Sequence, residues 1–171
     1  MDQDSELARR AAAGDAAAFT ALVRAHEGAV RRFLSRLTRG DGADDLAQET
    51  FLKAWRMAGT WRGEGSYRGW LMRIAWTQFL GAHRARGRSD ARDQAVYESD
   101  TPARHDAEGA IDLDRALADL DERERAAALL CFGEGCSHSE AAEIMGVPLG
   151  TLKSIVARAR TALAARLEVV R

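Results

Sequence analysis

The chain has few of the residues that staple or break a fold. Proline occurs only twice, at Pro102 and Pro148, and aromatic residues make up 6%. So few prolines leave room for long helices, and the abundant alanine, leucine and arginine are strong helix formers. Two cysteines, Cys131 and Cys136, are too few for a disulfide framework, which agrees with a reducing compartment. No run approaches the ~20 apolar residues needed to span a bilayer. The N-terminus reads Met1-Asp2-Gln3-Asp4, acidic where a secretion signal would be basic and then apolar. A cytoplasmic location without membrane insertion is therefore expected. Strand signals and internal repeats are missing as well. No nucleophile-and-base constellation, phosphate loop or pair of catalytic carboxylates is visible, so neither enzymatic activity nor a cofactor is expected. Cys131, Cys136 and His138 supply only three ligands at a spacing that matches no common zinc finger, so no metal is expected either.

What is present is 46% apolar and 30% charged residue in 171 positions, enough for one medium domain or two small ones. The formal net charge of −1 hides a strong segregation. From Arg68 to Arg92, six arginines stand against Asp90 alone. From Asp93 to Glu122, ten acidic residues stand against Arg104 and Arg115. From Pro148 to Arg171, one lysine and four arginines stand against Glu168. Two basic blocks separated by an acidic one suggest two nucleic-acid contacts joined by a segment that avoids DNA.

Apolar positions recur at helical spacing nearly everywhere. A short first helix starts near Ser5 and stops at Gly14. Asp15 is placed to cap a long second helix to about Arg39, with Phe19, Leu22, Val23, His26, Val30, Phe33, Leu34 and Leu37 on one face. After Gly40-Asp41-Gly42, a third helix spans about Ala43 to Met57. Leu46, Thr50, Phe51, Ala54 and Trp55 are expected inward, with Asp45, Gln48, Glu49, Lys53 and Arg56 largely outward. Gly59 to Ser66 reads as a loop, and a fourth helix follows from Tyr67 to Arg86. The expected architecture is all-α: a first domain over residues 1–87, a flexible acidic linker over 88–108, and a second domain over 109–171. In the second, helices are expected at Ile111–Leu120, Asp121–Phe132, Ser137–Met145 and Pro148–Val169. Ser137-x-x-Glu140 forms a capping box, and Pro148 suits a first helical turn.

The stretch Ser137 to Ser154 carries the sharpest signal. A short helix with small Ala141 and Ala142 on its inner side meets a Gly146 turn. A second helix then presents Thr151, Lys153, Ser154 and Arg158. This is the layout of a helix-turn-helix, whose second helix offers donors to a major groove. Arginine and lysine reach guanine edges and phosphates, while hydroxyls hold the backbone register. An ordinary helical hairpin is the competing account.

Ala142-Glu-Ile-Met-Gly-Val-Pro-Leu-Gly-Thr-Leu-Lys-Ser154, followed by Ala157-Arg-Ala-Arg160, resembles the second conserved domain of extracytoplasmic-function (group IV) sigma factors. Leu120-Asp-Glu-Arg-Glu-Arg125 resembles that domain's opening. Ala13-Gly-Asp-Ala-Ala-Ala-Phe19, Asp44-Asp-Leu-Ala-Gln-Glu-Thr-Phe-Leu-Lys-Ala-Trp55, Trp61-Arg-Gly-Glu64 and Trp70-Leu-Met-Arg-Ile-Ala75 resemble the first domain, in the expected order. The resemblance implies a bacterial factor that carries core RNA polymerase to chosen promoters and is restrained by an anti-sigma factor. It implies that Asp45, Gln48, Glu49 and Lys53 dock the polymerase clamp. It implies that Trp61, Arg62, Trp76 and Thr77, with the basic Arg84, Arg86 and Arg88, meet melted −10 DNA. Thr151, Lys153, Ser154, Arg158 and Arg160 would meet the −35 element. The family commonly has asparagine where Thr77 stands and arginine where Ile155 stands. Those departures keep open a decoy that sequesters an anti-sigma factor without binding promoters. A plain helix-turn-helix repressor leaves the first domain unexplained.

Overall fold

The computed structural model describes residues 3–90 and 108–169. Eight α-helices and two short irregular turns account for nearly all of these residues, with no strand among them. Packing divides the chain into two units, Met1–Leu34 with Gly42–Glu98 and Ser35–Asp41 with Ser99–Arg171. The expected acidic linker falls mostly on residues outside the described ones.

The first unit is built from α1 (Gln3–Ala12), most of α2 (Ala16–Thr38), α3 (Ala43–Arg56) and α4 (Tyr67–Asp90). Asp15 caps α2 as its sequence position predicts: its Oδ1 accepts from the amides of Ala17 and Ala18, both at 3.0 Å. Those bonds, with the Arg10 guanidinium alongside, hold the Asp15 carboxyl below its ordinary pKa. Leu22, Val30, Phe33 and Leu34 of α2 are buried, as are Leu46, Ala47 and Ala54 of α3 and Leu71, Met72 and Ala75 of α4. Thr50 sits in the same core, and its hydroxyl donates back to the Leu46 carbonyl at 2.7 Å. A 3-10 turn, Ala58–Thr60, leads from α3 into the loop before α4, and Ser66 Oγ accepts from the Gly69 amide to cap α4.

The second unit holds α5 (Glu108–Ala118), α6 (Glu122–Ala128), α7 (His138–Met145) and α8 (Leu149–Val169). Here one expectation needs correction. The helix predicted from Asp121 to Phe132 ends at Ala128 and gives way to a π turn, Leu129–Gly133. The Glu134 amide reaches the Leu129 carbonyl, five residues back, at 2.8 Å, so one extra residue is wound into the turn. Phe132 is thereby turned outward and is 51% exposed. The capping box forms as predicted: Ser137 Oγ accepts from the Glu140 amide, and the Glu140 carboxylate accepts from the Ser137 amide. Gly146 ends α7 at φ 65, a left-handed conformation that favours glycine. Ala141 and Ala142 of α7 are buried, as are Leu152, Val156 and Ala159 of α8, and the two alanines leave room for close approach of the helices.

Candidate functional site

On the first unit, α3 and the first half of α2 enclose an open groove of about 640 Å³. Phe19 and Val23 from α2 and Phe51, Leu52 and Trp55 from α3 supply its apolar lining, with Asp44, Asp45 and Gln48 along the rim. The rings of Phe19 and Trp55 lie 4.9 Å apart, tilted by 52°. Sequence periodicity places Phe51 and Trp55 inward, but Trp55 is 37% exposed and Phe51 half-buried. The reason is angular: Leu46, Ala47, Thr50 and Ala54 already fill the core face, and the aromatics lie on its flank. Leu52, 41% exposed, stands among the polar residues and completes the apolar surface, a contribution the polar row concealed.

The four predicted docking residues do not share one face. Asp45, Gln48 and Glu49 are exposed on the outer side of α3. Lys53 is half-buried and turns toward α4, where its Nζ donates to Gln78 Oε1 at 3.4 Å. The lysine therefore leaves the acidic row.

The loop 61–66 exposes Arg62, and Gly63 and Gly65 adopt φ of 78 and 70. Its two ends are less free. Trp61 is half-buried and packs edge-on against Tyr67, centroids 5.5 Å apart at 84°, and Tyr67 also touches Trp70 at 5.3 Å. Burial pushes the Tyr67 hydroxyl pKa up to about 12, with the nearby Asp4 charge adding to it. Trp76 corrects the sequence reading. It is 3% exposed, stacked on Phe79 at 5.6 Å inside the unit, so its ring offers no platform to a base.

Thr77, Arg84 and Arg88 are exposed and fall on one row of α4, separated by one or two turns. Arg73, exposed and one turn before Thr77, extends that row and was legible only as part of the basic block. The Thr77 hydroxyl is bonded to the Arg73 carbonyl at 2.8 Å. Arg86 is exposed on the opposite side of the helix, so the basic end of α4 presents two faces.

On the second unit, Thr151, Lys153, Ser154, Arg158 and Arg160 are all exposed on α8. They form two rows, Thr151 with Arg158 and Lys153 with Arg160, with Ser154 between. Arg158 Nε donates to Glu124 Oε1 of α6 at 3.1 Å, which fixes its stem across the crossing. Ile155 is 3% exposed and belongs to the core. An isoleucine there withdraws no DNA contact from the outer surface of α8.

Comparison with known proteins agrees with this geometry. The family profile described as Sigma-70 region 2 matches residues 22–89, and that described as Sigma-70, region 4 matches residues 110–163. The chain is 37% identical over 168 residues to the extracytoplasmic-function sigma factor SigC of Mycobacterium tuberculosis, covering 95% of this chain and 90% of that one. It is 38% identical over 165 residues to SigM of the same species, covering 94% and 83%. Among solved structures, RpoE of Bartonella quintana, in complex with the anti-sigma factor NepR, matches with a TM-score of 0.79 at 32% identity. That match covers 90% of this chain and 98% of the other. CnrH, in complex with the cytosolic domain of CnrY, matches with a TM-score of 0.73 at 27% identity, over 98% and 99%.

Proposed function

Because the chain belongs to the extracytoplasmic-function family of RNA polymerase sigma factors, we propose a division of labour among the surfaces described above. The protein is an alternative sigma factor that directs transcription initiation. In this reading the α2–α3 groove docks core RNA polymerase. The loop 61–66 and the Arg73–Thr77–Arg84–Arg88 row hold melted −10 DNA, and α8 reads the −35 element. The factor adds recognition and melting, and the polymerase supplies all catalysis. An anti-sigma factor is the third partner, by analogy with RpoE and NepR. It would compete for the groove, because covering that surface blocks polymerase directly. A decoy that only sequesters an anti-sigma factor has no use for Lys153, Arg158 and Arg160 exposed on α8.

The observation that carries the docking assignment is the groove itself. Leu52 and Trp55 stand exposed beside Asp45, Gln48 and half-buried Phe51 on a helix whose remaining apolar residues are buried, and such a patch marks an interaction surface. Leu52→Glu is expected to weaken association with core polymerase about tenfold while leaving far-UV helicity intact. Unchanged affinity by fluorescence anisotropy removes the groove from the polymerase interface. Run-off transcription from a genomic library with purified core polymerase tests promoter recognition and supplies the promoter for every assay below.

For α8, Arg158→Ala is expected to cost about 1–3 kcal/mol of −35 binding and to relax specificity at one position. The Glu124 contact presets the guanidinium, which suits a base contact better than a mobile phosphate contact. A loss that is equal across all −35 variants makes Arg158 a phosphate contact and overturns its role in reading bases.

A further inference from the structure

We infer that Asp4 and His26 are positioning residues for promoter melting: their hydrogen bond fixes Tyr67, and through it the Trp61 root of the −10 loop. This rests on the loop reading given above.

The contacts form a chain across the first unit. Asp4, on α1, accepts from His26 Nε2 at 2.7 Å, and both side chains are largely shielded, 24% and 11% exposed. The His26 ring lies 5.7 Å from the Tyr67 ring, and Tyr67 in turn meets Trp61 edge-on. Tyr67 itself is 3% exposed. The Trp61 indole N–H is buried and has no hydrogen-bond partner. The Trp61 ring is thus held by packing, and the Tyr67 ring is part of that packing.

A second line of packing leads to the same loop. Helix α1 lies mainly against the 3-10 turn Ala58–Thr60, the element that runs straight into Trp61. Ala8 and Ala11 of α1 and Ala58 of the turn are all buried, so small side chains let the two elements approach closely. The Asp4–His26 pair ties α1 to α2, and α1 holds the turn. The loop 61–66 is thus fixed at its start by α1 and at its end by Tyr67, while Gly63 and Gly65 between them meet nothing within 4 Å of an added Cβ. A loop that must receive an unstacked base gains from rigid ends, because disorder there would have to be removed at the moment of capture. None of these residues lines the α2–α3 groove.

The test uses the full chain assembled with core polymerase. Asp4→Ala is expected to lower open-complex formation on a duplex promoter about tenfold, read by permanganate reactivity of unpaired thymines. A template with a pre-melted −10 bubble should recover most of the loss, and polymerase affinity should stay unchanged. Asp4→Asn keeps an oxygen that accepts from His26 and should restore most of the duplex activity, which a change in charge alone would not. If Asp4→Ala loses helicity, His26→Gln serves instead. Its amide still donates to Asp4 but puts no ring on Tyr67, so duplex melting should fall while the bubble template recovers. Equal defects on duplex and bubble, or weakened polymerase binding, make the pair merely structural and overturn the inference. Normal duplex melting in Asp4→Ala also overturns it. If alanines at Gly63, Glu64 and Gly65 still impair melting in that case, the loop reading survives alone; if they do not, both fall.

Discussion

Replacing Gly63, Glu64 and Gly65 with alanine is expected to reduce open-complex formation on a duplex promoter about a hundredfold and to leave polymerase affinity nearly unchanged. Gly63 and Gly65 sit in the left-handed region, where an L-residue costs about 1–2 kcal/mol each. No neighbour lies within 4 Å of a Cβ added at either position, so the alanines introduce no clash. The strain is relieved only by changing the path of the loop. A changed path moves Arg62 and opens the cradle in which an extruded base would sit.

Because the groove proposed to dock polymerase is lined by residues between Ala16 and Trp55, the loop is expected to lose its shape without disturbing docking. A pre-melted promoter should recover part of the defect, since unstacking a base costs a few kcal/mol and the bubble removes that cost in advance. Equal defects on duplex and bubble templates mean that the loop does something other than assist melting. Lost polymerase binding means that it is a structural element of the first unit.

The extent to which such surfaces could be read beforehand follows the range of the interactions involved. Asp15, Ser137 with Glu140, and Gly146 act on amides and carbonyls within a few residues, and each is found in its predicted role. Helix number and order follow from apolar periodicity for the same local reason, although α4 runs on to Asp90 and α6 stops short. Features set by distant partners were not legible. Lys53 leaves the docking row because Gln78 stands across from it, 25 residues on. Arg158 meets Glu124, 34 residues away. Trp76 is as aromatic as Trp55, and only the packing of other helices decides that one is buried and the other exposed. The groove needs α2 and α3 together, so Phe19 and Leu52 carry no visible mark alone. Ile155 shows the converse: comparison with the family pattern suggested a missing charge, while its position on α8 faces the core.

Arg125→Ala is expected to lower the melting temperature of the second unit by about 12 °C or more, the largest effect on stability anticipated here. Arg125 closes the motif Leu120-Asp-Glu-Arg-Glu-Arg125 and looks, in sequence, like a surface arginine on a charged helix. Instead it is 3% exposed. Its Nε donates to the Leu117 carbonyl at 2.8 Å, its Nη1 to that of Leu37 at 3.0 Å, and its Nη2 to those of Ala118 and Leu120 at 3.2 and 2.8 Å. Leu117 and Ala118 end α5 and Leu120 follows it, so the guanidinium caps the end of α5 from α6. Burial pulls its pKa below the ordinary arginine value, and the carboxylates of Glu122 and Asp121 act the other way. Removing the side chain leaves the Leu37, Ala118 and Leu120 carbonyls without a donor, while that of Leu117 keeps the Leu120 amide at 3.2 Å. At about 1–3 kcal/mol for each buried group, the loss is at least about 3 kcal/mol. For a unit of this size each kcal/mol corresponds to roughly 4–8 °C. Arg125→Lys should fall between wild type and alanine, because a point-like ammonium cannot span four carbonyls in the way a planar fork does. Arg125→Met, which keeps the length and apolar stem, should be nearly as damaging as alanine. Thermal unfolding followed by far-UV circular dichroism separates these cases. A shift under about 2 °C for alanine means that water satisfies those carbonyls as well as arginine does, and that the cap is dispensable.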